Sequence, residues 1–504
     1  MVDEKLLLKK LNKIGIALAS ERDISKLLEL ILKESISITN CDAGSIYIKE
    51  ISEDYEAVIR FKNAINLSRK VEFSEFTLKL DKKSIAGYVA LTGETLILND
   101  INNIPEELGL KYNDSFDKMI NYKTANMLVV PMINYNNEVV GVLQLINKKK
   151  QGIEILEETD EICKNIEAFI KEEVEIIKSL TAQAGILIER TELYDEIQEL
   201  LSSFIHAMVV TLDSRDITTS GHSRRLAGYA LGFVEAINRV NYGKYKDTYF
   251  TKEQIRELYY SALLHDIGKI GVSEFVLQKR TKVSEETLEL LEYKFEYLKE
   301  KLEQKEEKNS QEKLFLDKFE SYMAIIKIIN NKPFLTDEEE QLIKELNEFE
   351  FDLLGKKIRM FKGIEYENLI IKRGNLTEKE RNEINSHVSH SYNILKDIKW
   401  TKDLRAVPKI ASAHHEKLDG TGYPLGLKEN EISIQARVLA ILDIFEALTA
   451  RDRPYKPPMS VEKAISIIEK EVEDKHLDKE LFDIFMQEKI FELYKEELDK
   501  IFNL

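Results

Sequence analysis

Ala413-His414-His415-Glu416-Lys417-Leu418-Asp419-Gly420-Thr421-Gly422-Tyr423-Pro424 is the stretch on which the reading of this chain turns. Two adjacent histidines that close a helix-like run and fall into a glycine-rich loop make little sense as packing. On a helix, neighbouring imidazoles point about 100° apart, so each is expected to reach a different ion of a pair rather than share one. Gly420 and Gly422 open backbone conformations closed to other residues, and Pro424 fixes the exit. The Gly422-Tyr423-Pro424 loop is therefore expected to hold a shape beside a substrate.

Four other places carry residues of the same character. Gly221-His222-Ser223 opens a helix whose apolar stripe runs Leu226, Ala230, Val234, with His222 on the stripe. Ile255, Leu258, Tyr259, Ala262 and Leu263 form an amphipathic helix ending in His265-Asp266-Ile267-Gly268-Lys269, where the carboxylate suits a bridge between two cations. Thr377-x-x-Glu380 caps a helix carrying Ile384, His387, Val388, Ser391 and Leu395 on one face. From Val438 to Leu448 the chain is nearly all apolar yet contains Asp443 and Glu446, and a carboxylate buried there is costly without a cation or hydrogen bonds. A lone histidine on an apolar face is usually a satisfied core residue. Five histidines and two aspartates on successive helices are how helical bundles build metal sites.

His265-Asp266 with Lys269, together with His414-His415-Glu416-x-x-Asp419-Gly420-x-Gly422-Tyr423-Pro424, resembles the HD-GYP family of cyclic di-GMP phosphodiesterases within the HD hydrolase superfamily. The likeness covers roughly residues 202–480, apart from a charged insert at about 281–375. It implies metal ligands at His222, His265, Asp266, His387, His414, His415 and Asp443, with Asp266 and Lys269 as the catalytic groups. It also implies substrate contacts from Lys269, Gly422, Tyr423, Pro424, Arg453 and Lys456. Members with a third metal place a Glu four residues before the first ligand histidine; Thr218 stands there, so two divalent ions are expected. Imidazole and carboxylate donors without thiolate suit iron or manganese, and the family points the same way. The implied reaction is hydrolysis of cyclic di-GMP to linear pGpG, to GMP, or both. Two rivals are a cyclic dinucleotide receptor that scarcely hydrolyses, against which the intact ligand set argues, and a phosphodiesterase for cyclic GMP-AMP.

The first half reads differently. Apolar residues recur at helical spacing from Leu7 to Ile31, giving a helix pair that reaches to about Asn40. Ala43 to Phe61 alternates like strands, Ser84 to Ala90 reads as a short helix, and Glu94–Asp100, Asn126–Met132 and Val139–Ile146 read as further strands, the last two joined at Asn136-Asn137. Residues 1–150 are thus expected to form an α+β domain of sensor size. Ser84 to Asp100 and Met127 to Lys148 resemble the GAF family of small-ligand sensors. Cyclic-nucleotide-binding members carry Asn-Lys, Phe and Asp-Glu; here stand Asn147-Lys148, Leu156 and Asp160-Glu161, which the resemblance implies as sensor-ligand residues at Asn147, Lys148, Asp160 and Glu161.

After Gly152 the chain runs without proline and with one glycine, Gly185, to about Leu212. A long linker helix is expected over 151–212, with a seam at positions 177, 180, 184, 187, 194, 201, 205, 208 and 212 suited to a parallel coiled coil in a homodimer. From Asp213 to the end the pattern is helical with no strand signal. The expected architecture is an N-terminal α+β GAF domain, a linker helix, and an all-α HD-GYP domain over 213–504 with a helical insertion.

Composition narrows the remaining classes. A net charge of −17 repels long polyanions and argues against DNA or RNA as a partner. No apolar run approaches the ~20 residues of a membrane span, which leads to an expectation of cytoplasmic location. Cys41 and Cys163 lie far apart, so no disulfide framework is indicated, and both are expected as small buried hydrophobes. None of the eight histidines precedes His206, which puts histidine chemistry in the second half.

Overall fold

The computed structural model describes residues 14–15, 23–52, 56–70, 75–156, 162–215, 221–353, 356–450 and 458–493. They fall into two units, Met1–Leu201 and Ser202–Leu504. In the first, helix α1 (Ile24–Thr39) starts where the Asp23 carboxylate accepts the amide of Ser25 at 2.9 Å, and stops at Asn40 in the left-handed conformation. Between these caps Leu27, Leu28, Ile31, Leu32 and Ile36 are buried at helical spacing, each worth roughly 1.5–3 kcal/mol. The expected helix before it lies almost wholly outside the described residues.

Strands β1 (Cys41–Ile51), β2 (Ala57–Asn66), β3 (Phe76–Lys79), β4 (Leu96–Leu98), β5 (Met127–Ile133) and β6 (Val139–Lys148) make one antiparallel sheet in the order β3-β2-β1-β6-β5-β4. Alternation along β5 separates two cores. Leu128, Val130 and Met132 join α1, while Met127 and Val129 join α2 (Ile85–Thr92) on the opposite face. Sequence alternation missed β3 because all four of its residues are exposed. A short helix α3 (Ser115–Ile120) follows β4.

The long helix, α4, spans Lys171–Arg215 and so starts later than expected. Residues before it belong to the sheet domain: Leu156 and Ile162 are buried with Tyr122 and Ala125, and the Glu167 amide donates to the Lys148 carbonyl at 2.9 Å. Cys163 in this segment is exposed, against expectation, while Cys41 is buried. The seam also needs correction. Ile177, Leu180 and Ala184 are buried in the core shared by α1 and the sheet, so the first half of the predicted coil seam is occupied by its own domain.

The second unit is helical around the site. Helix α5 (His222–Arg239) packs on α6 (Lys252–Leu264), which ends at His265 and passes into a tight turn, Ile267–Gly271. After the insertion, α11 (Glu378–Asn385) and α12 (His387–Lys396) are nearly continuous, interrupted only at Ser386 where one helix was expected. Then come α13 (Val407–Ala411), α14 (Ile434–Thr449), α15 (Val461–Glu473) and α16 (Lys479–Gln487). Helix α14 packs on α5, α13 on α6 and α12, and α12 on the Ile267–Gly271 turn. No helix among the described residues is long and apolar enough to cross a membrane.

The insertion consists of α7 (Glu285–Glu303), α8 (Ser310–Asn331), α9 (Asp337–Asn347), a hairpin of β7 (Glu350–Leu353) and β8 (Lys356–Arg359), and α10 (Gly363–Leu369). The hairpin overturns the expectation of helices only. Phe351 is buried in the insertion core while the paired charges Glu350 and Arg359 face outward, an alternation too short to stand out in so charged a stretch. That core, with Phe295, Phe315, Ile326 and Leu369 among its members, draws solely on residues between Val283 and Leu369. Two buried lysines close its neck: Lys279 binds both Glu380 oxygens at 2.7–2.8 Å, and Lys282 donates to the Ile371 and Gly374 carbonyls. Because the insertion owns its core, replacing residues 284–370 by a short Gly/Ser linker is expected to leave the rest of the helical unit folded and, if the residues implied as ligands do bind metal, their metal content unchanged. Loss of bound metal from that variant would show that the insertion supports the site.

Candidate metal centre

Metal affinity starts with which nitrogen each imidazole presents. In His265, His387 and His414, Nδ1 lies against the carbonyl three residues earlier, Ala262 at 2.8 Å, Ile384 at 2.6 Å and Ala411 at 2.7 Å. Each ring therefore holds its proton on Nδ1 and turns Nε2 inward. The local cause is the same each time: the histidine closes or opens a helix end, where the carbonyl three residues back is free to accept.

The inward atoms converge. His222 Nε2 is 3.3 Å from His265 Nε2 and 3.1 Å from Asp443 Oδ1. Asp266 reaches both ways, with Oδ2 3.3 Å from His265 Nε2 and Oδ1 3.2 Å from His387 Nε2. His415 Nδ1 is 4.0 Å from Asp443 Oδ2. Three overlapping groups could each hold an ion: His222 with His265 and Asp443, His265 with Asp266 and His414, and His387 with His414 and His415. All seven residues implied as ligands are thus in one place. His414 and His415 share one of these groups, and His414 also belongs to another that lacks His415. The helix ends at Ala411, both histidines sit in the turn beyond it, and their ring centroids are 4.1 Å apart.

The donor set fits divalent cations. The His414 Nε2 atom is buried with no hydrogen bond, and so is that of His387, an arrangement that a bound ion would relieve. Burial, reinforced by the neighbouring imidazoles, drives His414 well below the usual histidine range, and burial brings His415 down to about 4, so both are neutral at pH 7, as donors to a cation would have to be. Burial opposes charge on Asp266, yet Lys269, with Nζ 2.8 Å away, and His265 outweigh it and hold the carboxyl well below the usual range. His222 is also buried, but its bonds with Asp443 and Glu446 raise it to about 9; its proton stands where a cation would balance the same carboxylates.

An outer ring holds these ligands. Glu446, one turn after Asp443 on α14, is buried, binds His222 Nδ1, and takes Arg225 Nε at 2.5 Å on its other oxygen. The sequence marked Glu446 as an unexplained buried carboxylate; its i, i+3 relation to Asp443 was the signal for its role. Substituting Glu446→Gln is expected to weaken metal binding about 10–100-fold, read by competition with a chromogenic chelator. Ser391 ties α12 to the Asp266 turn, donating to the His265 carbonyl at 2.7 Å and accepting from the Gly268 amide at 2.9 Å.

The loop after His415 is shaped by its own carboxylates. Glu416 accepts the amides of Leu425 at 2.7 Å and Leu427 at 2.8 Å, Asp419 accepts that of Thr421 at 2.9 Å, and Gly420 has φ +84°. A Cβ on Gly422 would fall 2.3 Å from the Lys417 nitrogen, so the chain doubles back on itself there. Tyr423 consequently lies beside His415, with ring centroids 4.9 Å apart. His476, which the sequence left unassigned, braces the loop from behind, 2.7 Å from Glu471, 3.0 Å from Lys417 Nζ and 3.6 Å from Asp419. Arg453 and Lys456 lie outside the described residues, as does Thr218.

The sensor residues fare differently. Asn147 is buried and holds the Ala125 amide at 2.7 Å, and Lys148 Nζ is paired with Glu173 at 2.7 Å. Both are braces of the sheet, and Asp160 and Glu161 lie outside the described residues. The cavity of this domain, about 490 Å³, is instead lined by Tyr47, Phe61, Phe76, Tyr112, Phe116 and Ile146 with Gln144 and Asp117.

Comparison with known proteins bears on both units. Residues 23–188 match the GAF domain family, and 219–354 and 364–481 each match an HD domain family. Among curated relatives, 3'3'-cGAMP-specific phosphodiesterase 3 of Vibrio cholerae is 40% identical over 114 residues, 23% of this chain and 24% of that protein. The 3'3'-cGAMP-specific phosphodiesterase 1 of the same bacterium is 31% identical over 175 residues, 32% of this chain and 40% of that one. A cyclic di-GMP phosphodiesterase of Thermotoga maritima is 39% identical over 103 residues, 20% of this chain and 27% of that one. The chain spans between about a quarter and two fifths of these relatives. It is thus a GAF domain joined to a helical HD domain, and its motif and its relatives fit the HD-GYP family.

Proposed function

We propose that the C-terminal unit is a divalent-metal-dependent phosphodiesterase that hydrolyses cyclic di-GMP to pGpG or GMP, under control of the GAF domain. Convergence of the seven ligand residues beside Lys269 and the Tyr423 loop carries this reading. His222, His265, Asp266, His387, His414, His415 and Asp443 would hold two ions, iron or manganese by donor chemistry. Such ions supply a nucleophilic water at neutral pH and stabilise charge on phosphoryl oxygens. Lys269, mostly buried, offers a point charge to a phosphate oxygen entering beside Asp266. Tyr423 offers a flat wall to a guanine base. Arg453 and Lys456 are proposed as further phosphate contacts on the resemblance alone.

Protein loaded with manganese or, without air, ferrous iron should convert cyclic di-GMP to linear product; substrate returned unchanged would leave a receptor. Relatives named for 3'3'-cGAMP favour a second reading in which the preferred substrate is cyclic GMP-AMP. Competition of the two cyclic dinucleotides at equal concentration decides between them. Removal of residues 1–195 should leave metal binding intact and change the hydrolysis rate.

For the GAF cavity we propose an uncharged, flat aromatic ligand. Aromatic side chains line the cavity among aliphatic ones, and among the described residues its one carboxylate, Asp117, is already satisfied by Tyr112 and Thr124, and Lys111 is the single lysine at its lining. Lumichrome, a neutral fluorescent probe, should bind the full chain and fail to bind Ala64→Trp, which fills the cavity; tighter binding of cyclic GMP would reject this class. The dimer is proposed through a different seam of α4 from the one read in the sequence. Ile186, Leu193, Ile197, Leu200 and Phe204 are exposed at three- and four-residue steps once Arg190 is included, which suits a second copy of the helix. Ile197→Asp with Leu200→Asp should then yield a monomer by light scattering.

A further inference from the structure

The last turns of α4 belong to the second unit. Ile205, Val209 and Leu212 are buried, and the helix ends at Arg215. There two side chains leave the helix for the metal site. Arg215 donates from Nη2 to the Val272 carbonyl at 3.0 Å and from Nη1 to the Ile270 carbonyl. These carbonyls close the Ile267–Gly271 turn that presents Lys269, with Asp266 immediately before it. Asp213 accepts, on Oδ2, the Gly221 amide at 3.2 Å, one residue before His222. Across the turn from Arg215, Ser391 holds the Gly268 amide at 2.9 Å, so the turn is gripped from both sides.

We infer that Arg215 is a positioning residue: it sets the place of Lys269 relative to Asp266 and makes the end of the linker helix a mechanical input to the site. A guanidinium fork suits this task because two donors in one plane fix both distance and direction to two carbonyls, which a lysine cannot do. A small rotation or slide of α4 would pull on the Ile270 and Val272 carbonyls and shift the ammonium of Lys269, while the histidine ligands, anchored to their own helices, stay in place. Arg215 touches neither substrate nor ligand, so its loss is expected in turnover and not in metal content.

This inference rests on the phosphodiesterase reading. The test uses the full manganese-loaded chain and its Arg215→Gln and Arg215→Lys variants, with Thr211→Ala, on the exposed side of the same helix turn, as control. For Arg215→Gln, kcat on cyclic di-GMP should fall about 10–100-fold with KM within about threefold and metal content unchanged, and hydrogen exchange of the 266–272 segment should quicken. Arg215→Lys should recover part of kcat, and Thr211→Ala should match the parent. Unchanged kcat and exchange in Arg215→Gln would overturn the clamp, and so would loss of metal, which would make Arg215 a structural support. A parent chain that does not hydrolyse would refute the phosphodiesterase reading alone, because exchange of 266–272 still reports on the clamp.

Discussion

Asp266→Asn should abolish metal-dependent hydrolysis while leaving the helical unit folded. Among the described residues, this carboxylate is the one group that reaches His265, His387 and Lys269 together, at 3.3, 3.2 and 2.8 Å. An amide of the same size keeps the packing but halves the acceptors and removes the charge that balances Lys269. The expected loss is at least on the order of 10³-fold in turnover, with bound metal falling from two ions towards one. Elemental analysis and chromatographic product assay read the two effects separately. Full metal content with full activity in this variant would mean that the ions lie elsewhere and that the grouping is only an ion-pair network.

The second large effect is expected from a single methyl group. In Gly268→Ala the new Cβ would lie 1.9 Å from the His387 carbonyl oxygen and 2.3 Å from the Ser391 nitrogen, both backbone atoms of α12. Neither can move without moving His387 itself. Overpacking of this kind costs about 3 kcal/mol at the upper end of its usual range, and here the strain falls on a ligand helix. We expect a Tm several degrees lower and severe loss of bound manganese, followed by calorimetry and elemental analysis. Wild-type metal affinity in Gly268→Ala would show that α12 does not position its ligand through this contact.

The sequence was most legible where chemistry forced unusual residues together. One histidine on an apolar helix face is ordinary, but five with two aspartates on successive helices are not, and the seven named on that ground do meet. Glu446 was visible only as an anomaly, because a carboxylate's partners, His222 and Arg225, are more than 200 residues away in sequence. Asn147 and Lys148 show the opposite limit. Both are polar and buried, as ligand residues would be, yet their bonds go to the Ala125 backbone and to Glu173, and nothing in local sequence distinguishes a brace from a binding group.

Local periodicity and turn chemistry by themselves determined most of the helices and strands around the two cores, and unusual residue types marked the candidate ligands, because spacing on a helix and a liking for glycine or asparagine in turns are properties of neighbours along the chain. Only the tertiary structure decided which face of the linker helix is already buried, that His414 and His415 share a group of donors, that the first unit holds a cavity with Tyr47, Phe61 and Phe116 at its lining, and that Arg215 bonds the carbonyls closing the turn that bears Lys269. Each of those depends on atoms brought close by packing from distant parts of the chain, where sequence separation carries no information about distance.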